Sequence, residues 1–167
     1  MERFKTLFYV KSSLIFLYLA LTIPIPFISS EELKILSILT FVFGLIFIIN
    51  ITNDHVEICD KKILYKTTFL SSILGKIGWE IFWKEIKLIK SLPTSQGSKV
   101  FYFITNKDES FLVPQRIENF EKFVSIISTK TNLNVDELSF ISPLWTYKLL
   151  TYISICLIIG EIIAFTI

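Results

Sequence analysis

LKILSILTFVFGLIFIINI (residues 33–51) runs straight into TNDHVEICDKKILYKTT (residues 52–68), and the fold turns on that transition. The first run carries no charge except Lys34 at its edge. A helix rises 1.5 Å per residue and the bilayer hydrocarbon core is about 30 Å thick, so about 20 apolar residues suffice to cross it. From Val56 the period changes to two. Val56 and Ile58 alternate with Glu57 and Cys59, and Asp60-Lys61-Lys62 makes a short turn. Ile63, Tyr65 and Thr67 then alternate with Leu64, Lys66 and Thr68. A spanning helix is therefore expected to lead into a β domain.

Upstream lies a second apolar stretch, Leu14 to Ile28, which reaches spanning length if Leu7 to Val10 join it and Lys11 snorkels to the interface. Pro24 and Pro26 remove backbone donors near its far end, so a kink or stop is expected there. The same residues stand where a signal peptidase needs small side chains, so the stretch reads as a retained helix. Ser29-Ser30-Glu31-Glu32 supplies caps and acidic residues for the helix that follows. The two helices form a tight hairpin. A third stretch, Leu149 to Ile167, closes the sequence, with Trp145, Tyr147 and Lys148 as interface anchors at its start.

Of the 167 residues 52% are hydrophobic, and mean hydropathy is +0.61. That is too apolar for an ordinary soluble domain of this size. The spans leave roughly 80 residues for a single folded core. Twelve Lys/Arg against nine Asp/Glu lie between Asp54 and Lys130, so this block is only mildly basic, and no nucleic-acid partner is expected. Arg3, Lys5 and Lys11 make the N-terminus basic as well. By the positive-inside rule the N-terminus and the block are expected to be cytoplasmic, with the C-terminus on the opposite side. Cys59 and Cys156 fall in different segments, so neither a disulfide nor a metal cluster is suggested.

Period-two segments continue beyond Thr68. Trp79, Ile81 and Trp83 share one face; Ile86 to Pro93 extends as a strand; Phe101 and Phe103 oppose Val100, Tyr102 and Ile104; Phe111 to Val113 is a short last strand. Asn119 is the expected cap of a helix on which Ile117, Phe120, Val124 and Ile127 form an apolar stripe ending near Lys130. Strands closed by one helix at this length resemble the bacterial pleckstrin-homology-like (PH-like) domain of small membrane proteins. The residues carrying the resemblance are Val56-Glu57-Ile58 with the Asp60-Lys61-Lys62 turn, Ile86 after Trp83-Lys84-Glu85, and the Phe101 to Thr105 strand. Phe111-Leu112-Val113-Pro114, leading through Ile117-Glu118-Asn119, completes the set, and the resemblance covers residues 54–131. Taken with the three apolar stretches it implies an α+β membrane protein: three transmembrane helices plus a small antiparallel β-barrel or sandwich closed by a C-terminal amphipathic helix, the N-terminal hairpin being common in that family and the third span a departure from its simplest version. The expected domains are a transmembrane hairpin (1–53), the PH-like domain (54–132), a linker (133–142) and a C-terminal transmembrane helix (143–167).

Candidates for chemistry are few. His55 beside Asp54 lacks the nucleophile and orienting group of a dyad, and with Cys59 it falls short of the four ligands of a structural zinc site, so no catalytic residue, metal or cofactor is assigned. Trp79 and Trp83 could line a ligand pocket, but their spacing on one strand face reads first as core packing and next as a membrane-interface role. In lipid-binding pleckstrin-homology domains basic residues of the first hairpin contact headgroup phosphates, and Lys61, Lys62, Lys66 and Lys76 loosely resemble that pattern. They are the candidate lipid or partner surface, although lysine holds phosphate as a point charge only. A basic face on an anionic leaflet would gain about 1 kcal/mol per lysine. Glu161 lies in the third span, where a carboxylate marks either an interfacial position or a packing contact, and Gly160 beside it permits close helix approach. The expected function is non-enzymatic: a membrane-apposed interaction module that assembles or stabilises a membrane complex, or self-associates. Recognition of an anionic phospholipid headgroup is the alternative.

Overall fold

The computed structural model describes residues 1–166; Ile167, the expected end of the third apolar stretch, lies outside them. The chain divides into two compact units. One comprises Met1–Leu7 and Asn53–Pro143, the other Phe8–Thr52 and Leu144–Ile167.

The first unit is built on strands. β1 (Glu2–Lys5), β2 (His55–Ile58), β3 (Lys62–Lys66) and β4 (Trp79–Phe82) form one antiparallel sheet in that order. Between β3 and β4 the chain makes a short helix. β5 (Ile86–Pro93), β6 (Lys99–Thr105) and β7 (Ser110–Leu112) form a second sheet. Among the described residues no ladder joins the two sheets into a closed barrel. A 3₁₀ turn at Trp83–Glu85 carries the chain from one sheet to the other. The alternation read from the sequence sets the faces: Val56, Ile63, Ile81, Phe101 and Phe103 are fully buried between the sheets. Trp83 is buried too, and its indole N–H donates to the Cys59 carbonyl at 3.0 Å, so the one polar atom of the ring is satisfied.

β1 departs from expectation. Residues 1–7 were expected to begin the transmembrane hairpin; instead they pair with β2, with Arg3 opposite Glu57 and Lys5 opposite His55. Phe4 thereby enters the core. The strand continues as a bridge from Thr6 to Ile117, with the Leu7 N–H on the Arg116 carbonyl at 2.9 Å. The helical hairpin is therefore inserted between the first two strands of a sheet.

The closing helices also differ in detail. Helix Phe120–Thr131 presents Phe120, Phe123 and Ile127 to the core, while Val124 is only half-buried. Asn119 precedes it in a left-handed conformation (φ 51°) and makes no side-chain cap bond; its carbonyl receives the Phe123 N–H at 3.0 Å. That turn rotates the start of the helix, and Phe123 replaces Val124 at the centre of the stripe. Residues 133–142, expected as a linker, pack instead: Leu133, Val135, Leu138 and Phe140 cover the core, with the Phe140 ring 4.7 Å from Phe120.

The second unit holds α1 (Phe8–Thr22), α2 (Pro24–Ile28), α3 (Glu31–Ile51) and, numbered after the short α4 (Phe69–Ile73) and α5 (Phe120–Thr131) of the first unit, α6 (Leu144–Thr166). α1 stops where Pro24 interrupts the ladder, as its missing N–H requires. Among the described residues, Phe8–Ile28, Glu31–Ile51 and Leu144–Thr166 are three helical stretches long and apolar enough to cross a membrane. α1 packs on α6, and small or hydroxyl residues are buried there: Ser12, Ser13 and Ala20 on α1, Thr151 and Ser154 on α6. Thr151 and Ser154 return their hydroxyls to carbonyls one turn back at 2.8 Å, so close approach leaves no hydroxyl donor unmatched. α1 meets α3 through Tyr18, whose hydroxyl donates to the Phe41 carbonyl at 2.8 Å. A Cβ at Gly44 would collide with the Tyr18 ring.

Candidate functional site

β2 and the residue before it carry two acidic side chains that the fold buries, Glu57 and Asp54. Glu57 points away from Val56 and Ile58, onto the outer face of the first sheet, yet it is only 1% exposed. Its cover comes from cross-strand neighbours, whose long stems lie over it. Arg3 Nη2 donates to Oε1 at 2.7 Å and Lys66 Nζ pairs with Oε2 at 2.6 Å. His55 Nε2 stands 3.3 Å from Oε1. The Lys66 and Arg3 hydrogen bonds outweigh the cost of burial and hold the Glu57 carboxyl down at about 2.

Asp54, 4% exposed, anchors the segment that follows β3. Its Oδ1 accepts the Thr68 N–H at 2.9 Å; its Oδ2 accepts from Lys76 Nζ at 3.0 Å and the Tyr65 hydroxyl at 3.3 Å. Burial works to raise the Asp54 pKa, but the Thr68 amide, Lys76 and Ser71 together bring it below the usual carboxylate range. Burial, followed by the Asp54 charge, pushes the Tyr65 phenol up.

The four lysines read as one basic surface do not form one. Lys61 and Lys62 lie at the β2–β3 turn, and Lys66 ends β3 at its opposite end, about 13 Å away at 3.3 Å per residue. Lys62 pairs with Glu80 at 2.7 Å, a hydrogen bond that raises the lysine's pKa. Lys66 and Lys76 neutralise Glu57 and Asp54. Lys61 is exposed and has no acidic partner among the described residues.

A groove of about 550 Å³ opens where β4, the edge of the first sheet, comes near β7, the edge of the second. Tyr65, Trp79, Tyr102, Phe111 and Leu112 line it, with Lys76 at its rim. Trp79 is its floor: it stacks on Tyr65 at 5.9 Å, meets Phe103 edge-on at 6.1 Å and lies 5.8 Å from Phe111. Trp79 lies on β4 and is half-buried, whereas Trp83 falls in the 3₁₀ turn that follows and is buried. α5 covers the core elsewhere, with Phe120, Phe123 and Ile127 buried. Sequence reasoning missed the groove because it forms from strands that are distant in the chain; Trp79 was its one visible signal.

In the helical unit, Gly160 is exposed and has open space where a side chain would be, so within the chain the close helix approach belongs to Gly44 instead. Glu161 is half-buried, and its Oε2 is shielded from solvent with no hydrogen-bond partner among the described residues. No group of three or more His, Cys, Asp or Glu able to hold a metal occurs among the described residues.

No family model matches the chain, and no solved structure matches it. It is similar to an uncharacterized protein of Synechocystis sp., 27% identical over 147 residues, a match covering 84% of this chain and 74% of that protein.

Proposed function

We propose that the chain is a non-enzymatic, multi-pass membrane protein whose β unit is a PH-like module for protein interaction, acting in assembly or stability of a membrane complex or in self-association. The open aromatic groove between the β4 and β7 edges carries this reading. It combines an apolar floor with the edge strands of both sheets, the combination by which an extended segment of a partner adds to a sheet. The PH-like assignment is supported by four strands followed by three in a second sheet and then one closing helix, with the transmembrane hairpin taking the place of the β1–β2 connection. That placement bears on the lipid alternative. The connection whose basic residues would hold a headgroup is here the hairpin itself, and Lys62, Lys66 and Lys76 already have acidic partners. Interaction with protein is therefore favoured over headgroup recognition.

The pairing of β1 with β2 also supports a membrane topology in which the N-terminus and the β unit share one side, cytoplasmic by their basic residues, with the C-terminus opposite. Within the membrane, the bare surface at Gly160 and the unmatched Glu161 oxygen suit a second helix bearing a donor. The test is affinity purification of the full chain in mild detergent, alongside Leu112→Glu, which places a charge in the groove at a half-exposed position. Wild-type protein is expected to retain a membrane protein or a second tagged copy that Leu112→Glu loses. Equal recovery with both would rule out the groove as the contact.

A further inference from the structure

The segment between β3 and β4 is anomalous for a unit that buries its other core aliphatics. α4 and the turn after it expose Phe69 (78%), Ile73 (65%), Leu74 (56%) and Ile77 (83%). Phe69 and Ile73 are one helical turn apart, and Gly75, with φ +83°, ends the helix. The Gly75 N–H bonds the Ser72 carbonyl and the Lys76 N–H the Ser71 carbonyl, both at 3.0 Å, so the turn is fixed. Four large apolar side chains thus stand exposed on a hydrogen-bonded turn, Ile77 at the border of the groove.

The scaffold is tied to one residue. Both ends of the segment bond to Asp54, through the Thr68 N–H at one end and Lys76 Nζ at the other. Asp54 is two residues beyond Thr52, where α3 has ended, and two residues of chain reach at most ~7 Å. Through Asp54 the segment is joined to the first residues of the chain that follow α3. We propose that Phe69–Ile77 is a membrane-inserting element that buries Phe69, Ile73, Leu74 and Ile77 in the bilayer interface at the exit of α3. This rests on the reading of α3 as a transmembrane helix. The occupant is lipid acyl chain and not headgroup phosphate, because Lys66 and Lys76 are neutralised by Glu57 and Asp54, which leaves the patch apolar with little net charge. It ties the β unit to the membrane at a fourth point besides its three covalent connections.

Spin-label accessibility on the full chain tests this, in a Cys59→Ser, Cys156→Ser background reconstituted into phosphatidylcholine vesicles. Labels at Phe69→Cys, Ile73→Cys and Ile77→Cys are expected to collide with oxygen and lose collisions with a water-soluble nickel chelate. A label at Val42→Cys, midway along α3, should behave likewise, and one at Asn106→Cys, in the polar β6–β7 turn, should show the reverse. Raising the salt several-fold should change nothing. If the three segment labels are aqueous while Val42→Cys is buried, the proposal fails and the transmembrane reading stands. If Val42→Cys is aqueous, both fall. Protection of the segment only in native membranes would assign the patch to a protein instead. Protection that needs anionic lipid and vanishes with salt would assign it to the lysines; either result overturns the proposal.

Discussion

Arg3 and Glu57 are Cα partners across β1 and β2 and are joined by a 2.7 Å hydrogen bond, although the whole helical hairpin lies between them in the chain. The pair closes the sheet around an insertion. It also makes the first seven residues part of the β unit's structure rather than a leader to the first helix.

Replacing residues 8–52 by a short Gly/Ser turn, in a chain ending at Pro143, should therefore give a cooperatively folding unit, because Lys5 and His55 are already opposite one another. The same chain begun at Asp54 lacks Phe4, which is 3% exposed and packs edge-on against Phe123 at 5.6 Å. Removing a buried phenylalanine costs about 3–5 kcal/mol. That is a large share of the 5–15 kcal/mol typical of a domain. Tryptophan fluorescence during thermal melting separates the two, and equal melting would mean that β1 is dispensable.

Glu57 should govern part of the acid response. Its folded pKa is held at about 2, below the ordinary 4.5, so the charged form favours the fold. Its contribution is complete above about pH 4.5 and disappears as pH falls toward about 2. Glu57→Gln is expected to lower the melting temperature at neutral pH, because Arg3 and Lys66 lose their partner, and to flatten the acid limb. Melting of the full chain in detergent from pH 7 to pH 2 measures this. An unchanged acid limb would assign it to other carboxylates, Asp54 first.

What the sequence made legible follows from element length. Six of the seven strands were readable because each alternates for several residues around a turn rich in Gly, Asp or Lys. β1 was not: Glu2-Arg3-Phe4-Lys5 is four residues long, and nothing local says that it pairs beyond two helices. α4 gives no periodic signal either, because it spans only five residues before Gly75. The lysines were visible as residues, but their acidic partners were not. Spacing along a strand fixes a face, whereas the pairing of Lys66 with Glu57 depends on register across the sheet. The groove was legible only at Trp79 for the same reason.

The helix that closes the β unit gives a sharp contrast between adjacent positions. Phe123 is 0% exposed and lies against both Phe4 and Phe120, while Val124 is half-buried at the rim. Phe123→Ala should cost about 3–5 kcal/mol. Val124→Ala should cost roughly 1 kcal/mol, in line with a partly buried site. Denaturant unfolding of the full chain, followed by the Trp83 signal, provides the comparison. A larger loss at Val124 would restore the register in which Val124 centres the apolar stripe.

Gly44 and Gly160 should differ in the opposite sense for stability and for association. At Gly44 a side chain collides with Tyr18, whose hydroxyl bond to the Phe41 carbonyl ties α1 to α3. Gly44→Val therefore overpacks the helical unit, at about 1–3 kcal/mol, and should lower its melting temperature in detergent. At Gly160 nothing of this chain lies within 4 Å of the position a Cβ would take. Gly160→Val should leave the monomer's melting unchanged, yet reduce recovery of a second tagged copy or a membrane partner, because the added side chain blocks close helix approach beside Glu161. Melting and co-purification read the two effects separately. If Gly160→Val leaves association intact, the α6 face is not the contact, and the groove between β4 and β7 is left to carry it alone.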